Sequence, residues 1–270
     1  MRALLHYVVR FLSCIVLCTF VIRPGYAVPL HMNGGNEIGL SLGTYKYEEP
    51  GLMSLQGAKV GLDLRSMLSF PDKHTFLRGE ARYAFGTVDY RSNGSGSSSG
   101  EPDWYIEARV LVGNDWPQTN GIISPFVGIG YRFLLNDGRG LTSSGYAGYR
   151  RASNYLYVPL GIVHRITLED QAELVSTVEY DYLLSGKQFS KLSDTGGGYA
   201  DFSSKQGSGY GIKVSLMYAT AQWSLGPYLY YWNIADSEVD TIYRNGIPEG
   251  YGMEPQNQTT EFGLQLRRPF

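Results

Sequence analysis

Asp103-Trp104-Tyr105-Ile106-Glu107-Ala108-Arg109-Val110-Leu111-Val112-Gly113 decides the fold of this chain. Trp104, Ile106, Ala108, Val110 and Val112 recur at a period of two on one face, with Tyr105, Glu107, Arg109, Leu111 and Gly113 on the other. A helix would scatter both sets around its axis, so the segment reads as a strand with one apolar face. The alternation returns in Ala58, Val60, Leu62 and Leu64 against Lys59, Gly61, Asp63 and Arg65. It returns again in Leu77, Ala81, Tyr83 and Phe85 against Arg78, Glu80 and Arg82. Followed along the chain, it yields ten candidate strands, near 36–47, 54–68, 74–90, 103–113, 123–135, 154–167, 171–184, 208–220, 222–235 and 258–270.

The connections alternate in length. Phe70-Pro71-Asp72-Lys73, Asn114-Asp115-Trp116-Pro117, Thr167-Leu168-Glu169-Asp170 and the Ala221-Gln222 region are tight. Apart from a short first link at Glu48-Glu49-Pro50-Gly51, the others are long and polar, near 91–102, 136–153, 185–207 and 236–257. Loop 91–102 carries so little apolar matter that it is expected to remain unordered. Short turns at one end and long loops at the other describe an all-β, closed, up-and-down antiparallel barrel, with ten strands expected and eight as the alternative.

Composition narrows the class. The 270 residues include 43% hydrophobic and 18% charged side chains, 34 Gly, 22 Tyr and only two Cys, which excludes a coiled coil, a disulfide-stapled mini-domain and a disordered chain. Arg2 and Arg10 precede the apolar run Phe11–Ile22, followed by Arg23, Pro24 and the small-x-small triplet ending at Ala27. This is the layout of a cleavable export signal over 1–27, with cleavage expected after Ala27 and residues 28–270 forming a single domain. Cys14 and Cys18 both fall in the signal, so a mature chain would carry no thiolate or disulfide. Loss of Arg2, Arg10 and Arg23 leaves 20 basic against 25 acidic residues, a balance of −5, and no field for nucleic acid. Past residue 22 no apolar run reaches the roughly 20 residues of a spanning helix.

The apolar faces can point inward around a ligand, as in a soluble binding barrel, or outward into lipid. Charge favours lipid. The opposite faces hold Lys59, Arg65, Arg78, Arg82, Arg109, Arg132, Lys213 and Arg267, balanced by Glu37, Asp63, Glu80, Glu107, Glu173, Glu179, Asp181 and Glu261. Such a set is expected to fill the lumen as ion pairs around small positions such as Gly39, Gly61, Gly128 and Gly263, nearly all of its polar atoms satisfied. In hydrocarbon every strand N–H and C=O must be paired, which demands closure. Tyr83, Trp104, Tyr131, Tyr155, Tyr180, Tyr182, Tyr210, Tyr218, Trp223 and Tyr231 are expected on the apolar faces near strand ends, at the headgroup level.

The chain ends Thr259-Thr260-Glu261-Phe262-Gly263-Leu264-Gln265-Leu266-Arg267-Arg268-Pro269-Phe270. This strand, with Phe262, Leu264 and Leu266 alternating ahead of a terminal Phe270, resembles the C-terminal targeting strand of small Gram-negative outer-membrane β-barrels, from which Arg268 departs. Pro125–Tyr131 and Tyr157–Gly161 resemble segments of the same proteins. The resemblance implies bacterial outer-membrane localisation, contact with outer-membrane lipid and lipopolysaccharide, and handling by the barrel-assembly machinery through the last strand. Both termini are then expected in the periplasm, with the long loops outside the cell.

Ten strands lie close to the eight whose interior side chains fill, so the lumen is expected closed or very narrow. The expected role is structural or surface-interacting, through loops that carry Tyr146, Tyr149, Arg150, Arg151, Lys187, Lys191, Tyr199, Tyr243, Arg244 and Tyr251. The alternative is a narrow pore for small solutes. Catalysis is expected to be absent. Asp72 and His74 resemble the Asp–His pair of the omptin proteases, yet that pair belongs at the extracellular rim and this one falls at a periplasmic turn. His31 precedes the first strand, and His164 has no nucleophilic Ser beside it, which argues equally against a lipid-modifying hydrolase. No cofactor or metal is expected. Asp236, Glu238 and Asp240 read as a solvated acidic rim.

Overall fold

The computed structural model describes residues 34–119, 121–168 and 172–270. The export-signal segment, its Ala27 boundary and His31 lie outside the described residues. Among the described residues there are fourteen strands: β1 (Gly35–Glu49), β2 (Met53–Phe70), β3 (Thr75–Ser92), β4 (Gly96–Asn114), β5 (Trp116–Gln118), β6 (Gly121–Leu141), β7 (Ala147–Thr167), β8 (Glu173–Ser190), β9 (Phe202–Gln206), β10 (Gly209–Ala219), β11 (Ser224–Ile234), β12 (Asp240–Arg244), β13 (Ile247–Gly252) and β14 (Asn257–Pro269). Ten of them form an antiparallel ring in the order β1, β2, β3, β4, β6, β7, β8, β10, β11, β14. β14 returns to β1 with Leu264 opposite Leu42, and β8 meets β10 with Glu179 opposite Lys213. The ring therefore has no free edge, as a sheet in hydrocarbon requires. Among the described residues no helix is long and apolar enough to cross a membrane.

The two faces are inverted relative to a soluble barrel. Ile129, Val110 and Leu264 on the outside are 51%, 51% and 58% exposed, whereas Lys59, Arg132, Glu179 and Glu261 on the inside are 1–2% exposed. Period two is thus read with its apolar half toward lipid. Toward the end opposite the tight turns, outward rings stack or tilt against one another along and across neighbouring strands. Tyr83 contacts Phe85 and Trp104, Trp104 contacts Phe133, and Tyr180 contacts Tyr210, which contacts Tyr231. Near the other end Tyr218 packs on Trp223 with ring centroids 5.7 Å apart. These rings lie where amphipathic aromatics bracket an apolar band. Tyr155 is the exception: it was expected on this surface and instead points inward, 5% exposed and stacked on Trp232. Its parity is opposite to that of Leu156 and Leu160, the outward residues of its own strand.

The strands overrun the apolar band at one end, and there the structure departs from the expected loops. Residues 91–102 belong to β3 and β4, which meet in a turn at 93–95, and 136–153 is mostly β6 and β7. Segment 185–207 continues β8, makes a 3₁₀ turn at Leu192–Thr195 and returns as β9 beside β8. Segment 236–257 holds the β12–β13 hairpin. The reason is that beyond lipid both faces of a ribbon may be polar, so the apolar alternation that marks a strand vanishes while backbone pairing continues. Serine-rich composition removed the signal without removing the ladder.

Candidate functional site

The lumen is filled by three kinds of layer. At the tight-turn end Phe76, Leu111, Phe126 and Val163 form an apolar plug with Met67 and Val175. Above it lies a ladder of ions. Glu80 accepts from Arg65 Nε at 3.0 Å and from Arg109 at 2.5 Å, and Arg65 reaches Glu37 at 3.2 Å. Arg109 pairs with Glu179, and Lys213 with Glu107, which also faces Arg132 at 3.6 Å. Lys213 stands 3.4 Å from Asp181. Toward β14, Arg82 donates to both oxygens of Asp63 at 2.9 Å, to Glu261 at 2.6 Å and to the Tyr105 hydroxyl at 2.7 Å. Tyr105 and Tyr228 in turn donate to Glu261 at 2.7 and 2.8 Å. Beyond the ions comes an aromatic layer of Tyr155, Tyr157 and Trp232 with Leu183 and Ile234.

Glycines make this density possible. At Gly130 a Cβ would fall 2.6 Å from Cε2 of Tyr157, and at Gly61 2.8 Å from Nη2 of Arg82. The voids left among the ions and beneath the rim are about 30 Å³ each. Each is room on the order of one water molecule.

Of the sixteen lumen charges singled out from sequence, Glu37, Lys59, Asp63, Arg65, Glu80, Arg82, Glu107, Arg109, Arg132, Glu179, Asp181, Lys213 and Glu261 stand within ion-pair distance of lumen partners. Arg78 is placed below them, its guanidinium over the Phe126 ring and Nε 2.9 Å from Glu80. Glu173 and Arg267 line a separate space at the turn end. The expectation of near-complete satisfaction does not hold. Nε and Nη1 of Arg132, both Asp181 oxygens and the Gln265 amide are buried without a hydrogen-bond partner. Arg132 is compensated by stacking 4.2 Å over the Tyr105 ring and 5.6 Å from Trp232, a cation–π contact in place of hydrogen bonds. Sequence reasoning missed Asp103, the partner of Lys59, and the hydroxyls of Tyr105 and Tyr228. Asp103 and Tyr105 lie on the charged face by parity, so the signal was present and only the strand start concealed Asp103.

The hairpin end is capped by a second polar knot. Tyr47 donates to Glu49 and Glu254 at 3.1 Å, and Arg151 joins both carboxylates. Burial pushes the Glu254 carboxyl up despite Arg151. Beside this cap a cleft of about 470 Å³ opens between the β3–β4 and β6–β7 tips. Tyr90, Tyr146, Tyr149, Glu101, Asn136 and Arg151 line it, and Ser143 N donates to Ser97 O at 2.7 Å to tie the two tips together. The neighbouring 3₁₀ turn is strapped to β7 by Arg150, whose Nη2 donates to Asp194 at 2.8 Å. That contact holds the Asp194 carboxyl at about 2. Lys191 pairs with Asp201 at 2.8 Å, and Arg244 donates to Gly197 O at 2.7 Å. Lys187 lies over Phe189, while Tyr243 and Tyr251 are exposed on the β12–β13 hairpin. Asp236 accepts from Gln256 N, and no group of three metal-ligating side chains occurs among the described residues.

His74 and His164 both sit at the tight-turn end, opposite the cleft. His74 lies between the Pro71–Lys73 turn and β3, and His164 pairs in register with Ile123. Phe262, Leu264, Leu266 and Phe270 lie exposed on the outer face of β14 and just beyond it.

No family model matches the chain, and no curated protein matches its sequence. Among solved structures, the outer membrane protease OmpT from Escherichia coli is similar at a TM-score of 0.57 with 13% identity, over 87% of this chain and 97% of that one. The translocator domain of the autotransporter NalP from Neisseria meningitidis is similar at a TM-score of 0.43 with 10% identity, over 89% and 90% of the two chains. The COG4313 outer membrane channel from Pseudomonas putida F1 is similar at a TM-score of 0.39 with 13% identity, over 92% and 100%. The fold of this chain is that of a Gram-negative outer-membrane β-barrel.

Proposed function

We propose that the chain is a non-conducting outer-membrane anchor that holds a stiff β-platform and its aromatic cleft on the cell surface. In this reading the tight turns and both termini face the periplasm, and the β3–β4 and β6–β7 tips face outward. The observation that carries it is the Arg82 knot. One guanidinium binds Asp63, Glu261 and Tyr105 from three strands, and the adjoining void is about 30 Å³. A solute would have to break several charge-assisted hydrogen bonds at once to pass.

The cleft supplies the interaction chemistry. Its volume falls within the roughly 300–1,000 Å³ of small-ligand sites, and its tyrosine faces with flanking carboxylate and amide groups suit a sugar ring or a polar peptide segment. Both described histidines lie at the far end from this cleft, so the reading assigns it binding without turnover.

Planar-bilayer recording tests the anchor reading. The refolded protein is expected to insert without stepwise conductance, and salt-dependent steps in the wild type would replace it with a pore. For the cleft, Tyr90→Ala and Tyr146→Ala are expected to abolish retention of proteoliposomes on oligosaccharide-coated beads while leaving folding intact. Retention equal to wild type would remove the cleft from the function.

A further inference from the structure

A second cavity, of about 260 Å³, opens at the tight-turn end of the barrel beneath the apolar plug. Its wall carries Arg65, Arg78, Arg165 and Arg267 against only two carboxylates, Glu37 and Glu173. The shortage is sharper than that count. Glu37 is taken by Arg65, and Glu80, just above, is shared by Arg65, Arg78 and Arg109. Arg267 has no ion-pair partner among the described residues. Arg165 is 8% exposed, and its Nε and Nη2 are buried without a hydrogen-bond partner, Asp115 standing at 3.9 Å. Arg78 is 3% exposed, and its Nε stands 2.9 Å from Glu80, a carboxylate that Arg65 and Arg109 also draw on. Guanidinium donors withdrawn from water and left unpaired, as those of Arg165 are, are costly, and four cations on one wall also repel one another.

We propose that this cavity binds one compact phosphate-type dianion, held by Arg165, Arg267 and Arg78. A tetrahedral oxyanion supplies acceptors for the unpaired donors and neutralises the excess charge, and guanidinium forks match its geometry. The size fits a small ion, since the cavity is below the range of drug-sized sites. Thr220, Ala221 and Trp223 at the β10–β11 turn border the cavity, so it opens at the turn end of the barrel and the ion enters there from water. The site does not depend on the rim cleft or on the conductance of the barrel.

Calorimetric titration of the refolded full chain with inorganic phosphate, in phosphate-free detergent buffer at low salt, tests it. Saturable binding at one site is expected. Arg165→Gln and Arg267→Gln should each weaken it at least about tenfold, the scale of a lost hydrogen bond to a charged group. Glu173→Gln should tighten it by removing a competing carboxylate. Heat-modifiable gel migration confirms that each variant is folded. Dihexanoyl phosphatidic acid is expected not to bind. Overturning results are a folded wild type that takes up no phosphate, arginine variants with unchanged affinity, or binding of the phosphatidate in place of phosphate.

Discussion

Arg82 on β3 and Glu261 on β14 stand 179 positions apart in the chain and 2.6 Å apart across the lumen. Their strands are separated in the ring by β1 and β2, so the contact is a brace through the interior. Its strength depends on both charges being present. A buried charge that loses its partner costs about 3–5 kcal/mol, whereas replacing both with apolar groups costs far less. Arg82→Met alone and Glu261→Met alone are therefore each expected to lower unfolding stability by about 3–5 kcal/mol. The Arg82→Met/Glu261→Met pair should lose less than the sum, measured by urea unfolding in a double-mutant cycle.

Gly130 faces the Tyr157 ring with no room for a methyl group. Overpacking of this kind typically costs 1–3 kcal/mol. Gly130→Ala should lower the temperature at which the folded band disappears on a detergent gel, and Tyr157→Leu in the same chain should restore part of the loss.

The four tryptophans divide by face. Trp104, Trp116 and Trp223 lie on the outer surface, with Trp116 53% and Trp223 39% exposed, whereas Trp232 is 2% exposed inside the lumen. In single-tryptophan variants reconstituted with brominated lipids, Trp104 and Trp223 are expected to be quenched most by bromines near the headgroups. Trp232 should remain unquenched at every depth.

The Arg150–Asp194 strap gives the rim an acid limit. The guanidinium holds the Asp194 carboxyl at about 2, below its ordinary 3.8. A depressed acid stabilises above its unfolded pKa and loses that contribution as pH falls through the folded one. The 192–195 turn should therefore stay docked above about pH 4 and loosen between pH 4 and 2, read by limited pepsin cleavage. In Asp194→Asn the same loosening should be present already at neutral pH.

How much of this was legible depends on where a residue sits relative to lipid. Within the apolar band, parity separates Glu107 from Ile106 and Arg82 from Tyr83, because a pleated ribbon has only two faces and the bilayer accepts only one kind of side chain. Beyond the band that pressure ends. Ser97 and Ser98 belong to a strand although nothing in their pattern distinguishes them from a loop. The rim knot of Tyr47, Glu49, Arg151 and Glu254 joins parts of the chain more than 200 residues apart, and no local spacing encodes it. Arg165 was invisible for a related reason: its importance lies in what it lacks, which only the assembled wall of the cavity reveals.

The overrun of the strands also limits where this molecule tolerates added sequence. Because ladder pairing persists almost to the tips, a foreign peptide spliced into 97–101 would tear the ladder to β3, and one spliced into 147–151 the ladder to β6. The turn at 93–95 and the bend at 142–145 interrupt no ladder and lie at exposed apices. In the orientation proposed above, with these tips outward, those two apices are the natural sites for grafting an epitope or fluorophore for display on living cells.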